Sequence, residues 1–400
     1  MRIVLLDHYF ESMGGGEKIL AVMAEHFSRN NEVIVLVTHP VDTKSVGSYF
    51  DVNLENIKFE QIRADSMFLR MIMSSRVKFP ARWKSLIHDR DSLKVLRKLN
   101  ASLFINIAYQ SNLPSPASQS IYVCMFPQKL TPTGDQFSFT RRVYGKLTDI
   151  LELKLLGSRN SAIDSYTVVA AISDYTAGWI SQYWSREAEI LYPVCDDMGP
   201  PAEKKNVILS VGRFFADNGS SHHKRHDELI AAFISLGRSD WELHLVGSLA
   251  RDSDSQAYFS KLASLAENHK NIFIHHDMPF SGLKKLRRES SIYWHATGLG
   301  YNAESSPESQ EHFGIATVEA MSAGSVPVVY NSAGQKEIVR DGQNGFLWDT
   351  IDELLVKTSR LIDDRAVRDR LALAAAKRAK EFNRGAFIQR LDSMVNTLIH

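Results

Sequence analysis

The chain has 400 residues, 44% of them hydrophobic, and a formal net charge of +1. A chain this long and this apolar supports two globular domains with a core each and argues against intrinsic disorder. Its near-neutral balance supplies no general field for a polyanion, so nucleic acid is not the expected partner and any anion site has to be local.

The N-terminal apolar run at 3–6 is far shorter than a signal-peptide core and reads as a first strand. Gly14, Gly15, Gly16 and Glu17 follow and open a helix expected to run through Phe27. Three glycines at a strand-to-helix turn let the backbone approach a diphosphate, although the spacing is not the G-x-G-x-x-G of a dinucleotide fold. Further continuous apolar runs occupy 33–37, 103–107, 121–126 and 168–172. They do not alternate, which fits strands buried on both faces of a parallel sheet. Between two of these runs, residues 66–84 interleave apolar side chains with Arg70, Arg76, Lys78, Arg82 and Lys84 and contain no acid. This segment reads either as a peripheral membrane contact on anionic headgroups or as an ordinary helix with solvated cations. No run approaches the roughly 20 apolar residues that cross a bilayer. The expectation is a cytoplasmic protein, soluble or at the cytoplasmic face of a membrane, with Cys124 and Cys195 as buried free thiols.

Ser173 precedes a helical stretch and reads as its cap. Turn formers and charges then replace the apolar pattern at 196–205, the expected linker. Apolar runs restart at 207–211, 241–246, 271–274, 292–295 and 326–330, with helix-period stretches such as 228–236 and 256–267 between them. Two doubly wound α/β domains follow, at 1–195 and 206–380. The charged helical stretch 351–400 breaks near Asn383 and Arg384, and its last part, 381–400, is expected to pack back on the first domain. Ligands of open parallel sheets sit beyond the carboxyl ends of the strands, which directs attention to the loops after Leu6, Val211, Val246, Trp294 and Tyr330.

The sharpest segment is Glu311-His312-Phe313-Gly314-Ile315-Ala316-Thr317-Val318-Glu319. Gly314 permits close backbone approach, and a helix starting there would aim its N–H groups and positive dipole end at a phosphate. Glu311 in the preceding loop and Glu319 in the second turn could hold two sets of hydroxyls, one on a sugar and one on a ribose. Spacing alone also fits an acidic helix start. After the run at 207–211 come Gly212 and Arg213, then Lys224 and Arg225. A guanidinium and an ammonium in a dry cleft stabilise charge developing on a departing diphosphate, whereas on an open loop they are only surface cations. Asp252-Ser253-Asp254 has a metal-binding spacing but precedes a helical stretch, so capping is expected and no metal. The pairs His222-His223 and His275-His276 lack helical zinc spacing and are expected to be solvated or at strand ends. His295 ends a strand at the cleft edge, where ligand contact and a structural role both remain open.

Residues 311–331, with Gly334, Glu337, Gly342 and 344–346, resemble the E-x7-E region of glycosyltransferase family 4. Gly212-Arg213 with Lys224 resembles that family's Gly-Arg and Lys pair, and the triple glycine resembles the loop of members that extend lipid-linked sugars. The resemblance implies the GT-B fold, two Rossmann-like doubly wound domains facing a central cleft. It implies a retaining, metal-independent transfer of a sugar from a nucleoside diphosphate sugar to a hydroxyl of a saccharide or lipid-linked saccharide, with no cofactor besides the donor. It also implies catalytic roles for Arg213, Lys224 and Glu311. Donor contacts are implied for Glu319, Gly15, Gly16, His295 and the backbone of Phe313, Gly314 and Ile315. One departure concerns the acceptor side. Many relatives carry a histidine just before the aromatic-proline pair, and here that place is Met125, which leaves only Gln128 and Lys129 to offer nearby. A non-catalytic sugar-nucleotide-binding subunit and a nucleotide-sugar epimerase of the same architecture remain as alternatives.

Overall fold

A computed structural model describes residues 1–8, 10, 14–62, 81–129, 139–156, 162–217 and 223–399. The chain divides into two units, Met1–Leu191 with Ile388–His400, and Tyr192–Phe387.

The first unit is built on β1 (Arg2–Leu6), β2 (Glu32–Val37), β3 (Lys58–Gln61), β4 (Leu103–Asn106), β5 (Ser120–Cys124), β6 (Val168–Ala171) and β7 (Glu189–Ile190). All neighbours are parallel, in the order β3-β2-β1-β4-β5-β6-β7. The second unit contains β8 (Lys205–Val211), β9 (Glu242–Gly247), β10 (Ile272–His276), β11 (Ser290–His295), β12 (Val326–Tyr330) and β13 (Phe346–Trp348). These are also parallel, in the order β10-β9-β8-β11-β12-β13. Each sheet therefore grows outward in both directions from its first strand. The strand order reverses between β1 and β4 in one unit and between β8 and β11 in the other, and at such a switch point the two flanking loops diverge and leave a crevice.

Continuous apolar runs became the central strands because helices cover both faces, as the burial of Ile3, Val4, Leu5 and Leu6 in β1 shows. Three strands lay outside the apolar pattern. β3 alternates exposed and half-buried residues at a sheet edge, while β7 and β13 have two and three residues. Ser173 caps the helix Asp174–Trp184 by accepting from Thr176 N at 3.0 Å. Asp252 caps Ser253–Ala266 by accepting from Ser255 N at 2.9 Å, and this helix start accounts for the acidic spacing there. Cys124 and Cys195 are buried free thiols.

The expected linker at 196–205 needs correction. The unit boundary falls at Leu191 and Tyr192, and 196–204 is bound to the second unit. Met198 is fully buried and its N–H donates to Ser322 Oγ at 3.2 Å, while Lys204 Nζ donates to the carbonyls of Ser290 and Ala323, both at 2.7 Å. Burial holds the Lys204 ammonium down to about 7. Side-chain packing overrode turn-forming composition here. The C-terminal helices are Ile351–Asp363, Arg365–Ala379 and Arg384–Ile399, with a break at Asp364 in addition to the one at Asn383. Of the basic segment 66–84, residues 66–80 lie outside the described residues. Among the described residues no helix is long and apolar enough to cross a membrane.

Candidate donor site

At the switch point of the second unit, β8 delivers Gly212. A Cβ there would stand 2.6 Å from Lys224 Cγ, so only glycine lets the Lys224 side chain fold across the strand end. Lys224 Nζ then reaches Glu311 Oε2 at 2.5 Å. From the end of β11, His295 Nε2 comes within 2.9 Å of the same oxygen and 3.1 Å of Thr297 Oγ1. Burial holds the His295 imidazole below its ordinary pKa, against the opposing pull of Glu311. A neutral ring donating Nε2–H to the carboxylate satisfies both influences. Glu311 is thereby pinned by two donors, one from the loop before the helix His226–Leu236 and one from the end of β11.

The helix Ile315–Ser322 begins directly after this carboxylate. The residue that caps its start, Gly314, has φ +119°, and a Cβ there would lie 2.5 Å from Gln335 Nε2. Gly334 supports the turn from its other side, donating its N–H to Glu311 O at 3.0 Å in a space where a Cβ would come within 2.5 Å of Phe313 Cα. The Phe313 ring is buried against Tyr192 and Phe382, with centroids 5.5 and 5.4 Å away. The helical ladder opens with Thr317 N and Val318 N donating to Gly314 O. The amides of Ile315 and Ala316 precede it, at the positive end of the helix dipole and with no capping side chain. Arg213 follows β8, exposed, with its guanidinium 4.5 Å from the centre of the Phe215 ring.

Lys224, Glu311, His295, Phe313, Gly314 and Ile315 are thus gathered at one strand-end crevice, while Glu319 lies buried in the second helical turn. Glu319 Oε2 receives Arg287 Nη2 at 2.6 Å. Arg287, Thr297 and Gln335 were missed by the sequence reading. Arg287 sits in the run Lys284-Lys285-Leu286-Arg287-Arg288, which resembles a solvated basic helix end. Gly15 and Gly16 open the helix Gly15–Ser28 in the first unit, and a Cβ on Gly16 would touch Met125 Cε at 3.4 Å. The position where relatives place a histidine therefore adjoins the glycine turn. Gln128 and Lys129 are engaged within the first unit: Gln128 Nε2 donates to Asn112 Oδ1 at 2.9 Å, and Lys129 Nζ lies over the Tyr183 ring.

The histidine pairs divide. His222 lies outside the described residues, and His223, expected to be solvated, is 1% exposed. Its ring packs edge-on against Tyr258, and its Nδ1 accepts from Arg225 N at 3.3 Å, so the loop turns this residue inward. His275 and His276 end β10 as expected. Among the described residues no group of three His, Cys, Asp or Glu side chains could hold a metal ion.

Residues 197–378 match the family described as Glycosyl transferases group 1. Over that stretch the chain is similar to glycosyl transferases of group 1. Among curated proteins it is 30% identical over 207 residues to the GDP-Man:Man(3)GlcNAc(2)-PP-Dol alpha-1,2-mannosyltransferase of Xenopus laevis, covering 46% of this chain and 39% of that protein. The Dictyostelium discoideum protein of the same name is 23% identical over 392 residues, covering 86% of this chain and 74% of its own. The chain spans about two fifths of the length of the first curated relatives it matches. Among solved structures, Anabaena HepE in complex with UDP and glucose superposes with TM-score 0.65 at 16% identity, covering all of both chains. A Rickettsia africae glycosyltransferase superposes with TM-score 0.67 at 14% identity, covering 100% of this chain and 98% of that one. The fold of this chain is α/β, two parallel sheets with flanking helices, as in GT-B glycosyltransferases.

Proposed function

We propose that this protein transfers a sugar from a nucleoside diphosphate sugar to a hydroxyl of a saccharide or lipid-linked saccharide, with retention at the anomeric carbon and without a metal or a further cofactor. The observation that supports this most is the convergence of Lys224 and His295 on Glu311 beside the uncapped start of the helix Ile315–Ser322. A diphosphate at this helix start would meet the amides of Ile315 and Ala316, with Lys224 and Arg213 supplying positive charge. The sugar it carries would lie against Glu311. As the anomeric C–O bond breaks, its electron pair passes to the diphosphate, and these cations and amides stabilise the charge where it develops. The acceptor oxygen bonds to the same face of the sugar, and its proton passes to the departing phosphate oxygen.

The names of the curated relatives make GDP-mannose the first donor to test and a lipid diphosphate-linked oligosaccharide the first acceptor. Release of GDP from GDP-mannose, with and without that acceptor, should fall about 100-fold or more in Glu311→Ala. Equal turnover by wild type and variant would defeat the catalytic assignment. Sugar inversion without an acceptor would favour an epimerase, and GDP-mannose binding without turnover a non-catalytic subunit.

A further inference from the structure

The buried cation Arg287 takes no part in the proposed transfer. It lies in the helix Phe280–Glu289, is 3% exposed, and belongs to a basic run whose other cations, Lys284, Lys285 and Arg288, are at least partly exposed. Its Nη2 donates to Glu319 Oε2 at 2.6 Å, its Nη1 lies 3.8 Å from Met198 Sδ, and its Nε has no partner among the described residues. We propose that Arg287 is a positioning and specificity-determining residue for the nucleotide: it fixes Glu319 as an ionised carboxylate facing the ribose hydroxyls of a nucleoside diphosphate. This proposal rests on the donor-site reading.

Stability alone does not call for this pair. Two charges taken out of water lose hydration that their attraction only partly restores, and well-packed apolar residues of like volume hold a fold as well or better. The pair does secure a charge state. A lone carboxylate as buried as Glu319, 6% exposed, would be driven toward its protonated form, whereas a guanidinium at 2.6 Å favours the anion. The anion only accepts hydrogen bonds, with about four lone-pair directions, and therefore suits the O–H donors of a ribose diol. Glu319 lies four residues beyond Ile315, about 6 Å further along the helix. A carboxylate at that depth from the phosphate-facing amides is placed for the next part of a nucleotide.

Arg287 is itself held from two sides. Ser325 Oγ donates to its carbonyl at 3.3 Å. Met198 packs on the guanidinium from the segment that is tied to the Glu319 helix through Ser322, whose Oγ donates to Glu319 O at 2.8 Å.

The test is calorimetric binding of GDP and UDP, each beside its 2′-deoxy and 3′-deoxy forms, to the full chain as wild type, Glu319→Gln, Arg287→Lys and Arg287→Met. Wild type should prefer a ribonucleotide by about tenfold, as expected for hydrogen bonds to a charged acceptor. Glu319→Gln and Arg287→Met should bring the ratio close to one, and Arg287→Lys, which keeps the charge but not the planar fork, should lower it at least threefold. Should Arg287→Met fail to fold, Arg287→Lys decides. Loss of the preference in Glu319→Gln with a wild-type ratio in both Arg287 variants would overturn the role of Arg287 and leave the donor site standing. A wild-type ratio in Glu319→Gln, or no nucleoside diphosphate bound by wild type, would overturn the donor reading and this proposal with it.

Discussion

Lys224 reaches one oxygen of Glu311 from the loop before the helix His226–Leu236 and His295 reaches it from the end of β11, so substitutions at this point separate charge from shape. Lys224→Met removes an ammonium from a half-buried carboxylate and a cation from the expected diphosphate. It should lower kcat/KM for a nucleotide sugar by about 100-fold or more in initial-rate assays, whereas a loss below tenfold would place the leaving-group charge elsewhere. Gly314→Ala would force a Cβ into Gln335 at φ +119° and should cost about 1–3 kcal/mol in urea unfolding. His226 gives a prediction about pH. It is fully buried, neither ring nitrogen has a partner among the described residues, and burial pushes its pKa down to about 3. Because the folded pKa is the lower one, the unfolded chain takes up the proton first as pH falls. The stability contribution is present above about 6.5 and is lost progressively toward about 3, at up to about 1.4 kcal/mol per pH unit. His226→Phe should flatten that slope in denaturant titrations across pH 7 to 4, and an unchanged slope would remove His226 from the account.

At the scale of elements, a short acidic motif is best understood from the helix it begins. Asp252 accepts from Ser255 N as a cap. Asp252→Ala should therefore cost about 1 kcal/mol in stability and leave the rate of sugar transfer unchanged, whereas a large loss of rate restored by a divalent cation would revive a metal role. The same scale shows what the sequence could and could not reveal. Runs such as 207–211 and 326–330 became strands because both faces are buried, and that condition is written in runs dominated by Val, Ile and Leu. The edge strand Lys58–Gln61 lacks that condition and left no comparable mark. Segment 196–204 looked like a linker because its composition favours turns, yet Met198 and Lys204 carry tertiary contacts that composition does not encode.

For the whole molecule, two sheets with the same parallel winding explain why residues as distant as Lys224, His295 and Glu311 meet. Strand order reverses beside β8, and the loops after β8 and β11 open at the same edge. Motif spacing and family resemblance made these residues legible as a group. Arg287 was not, because a cation in a basic helix end reads as solvated until its tertiary neighbours are known. The first unit has less to read, with Met125 beside the glycine turn and Gln128 and Lys129 engaged in other contacts.

The central claim, a nucleotide-sugar site built on Lys224, Glu311 and the Gly314 turn, is tested most directly by product analysis of the full chain incubated with GDP-mannose and a panel of UDP-sugars in the presence of a lipid diphosphate-linked oligosaccharide. The account predicts that one donor is consumed with an equal yield of nucleoside diphosphate and extended glycan, and that Glu311→Gln loses this activity about 100-fold while melting near the wild-type temperature. Consumption of no donor in the panel, or undiminished transfer by the folded variant, would contradict it.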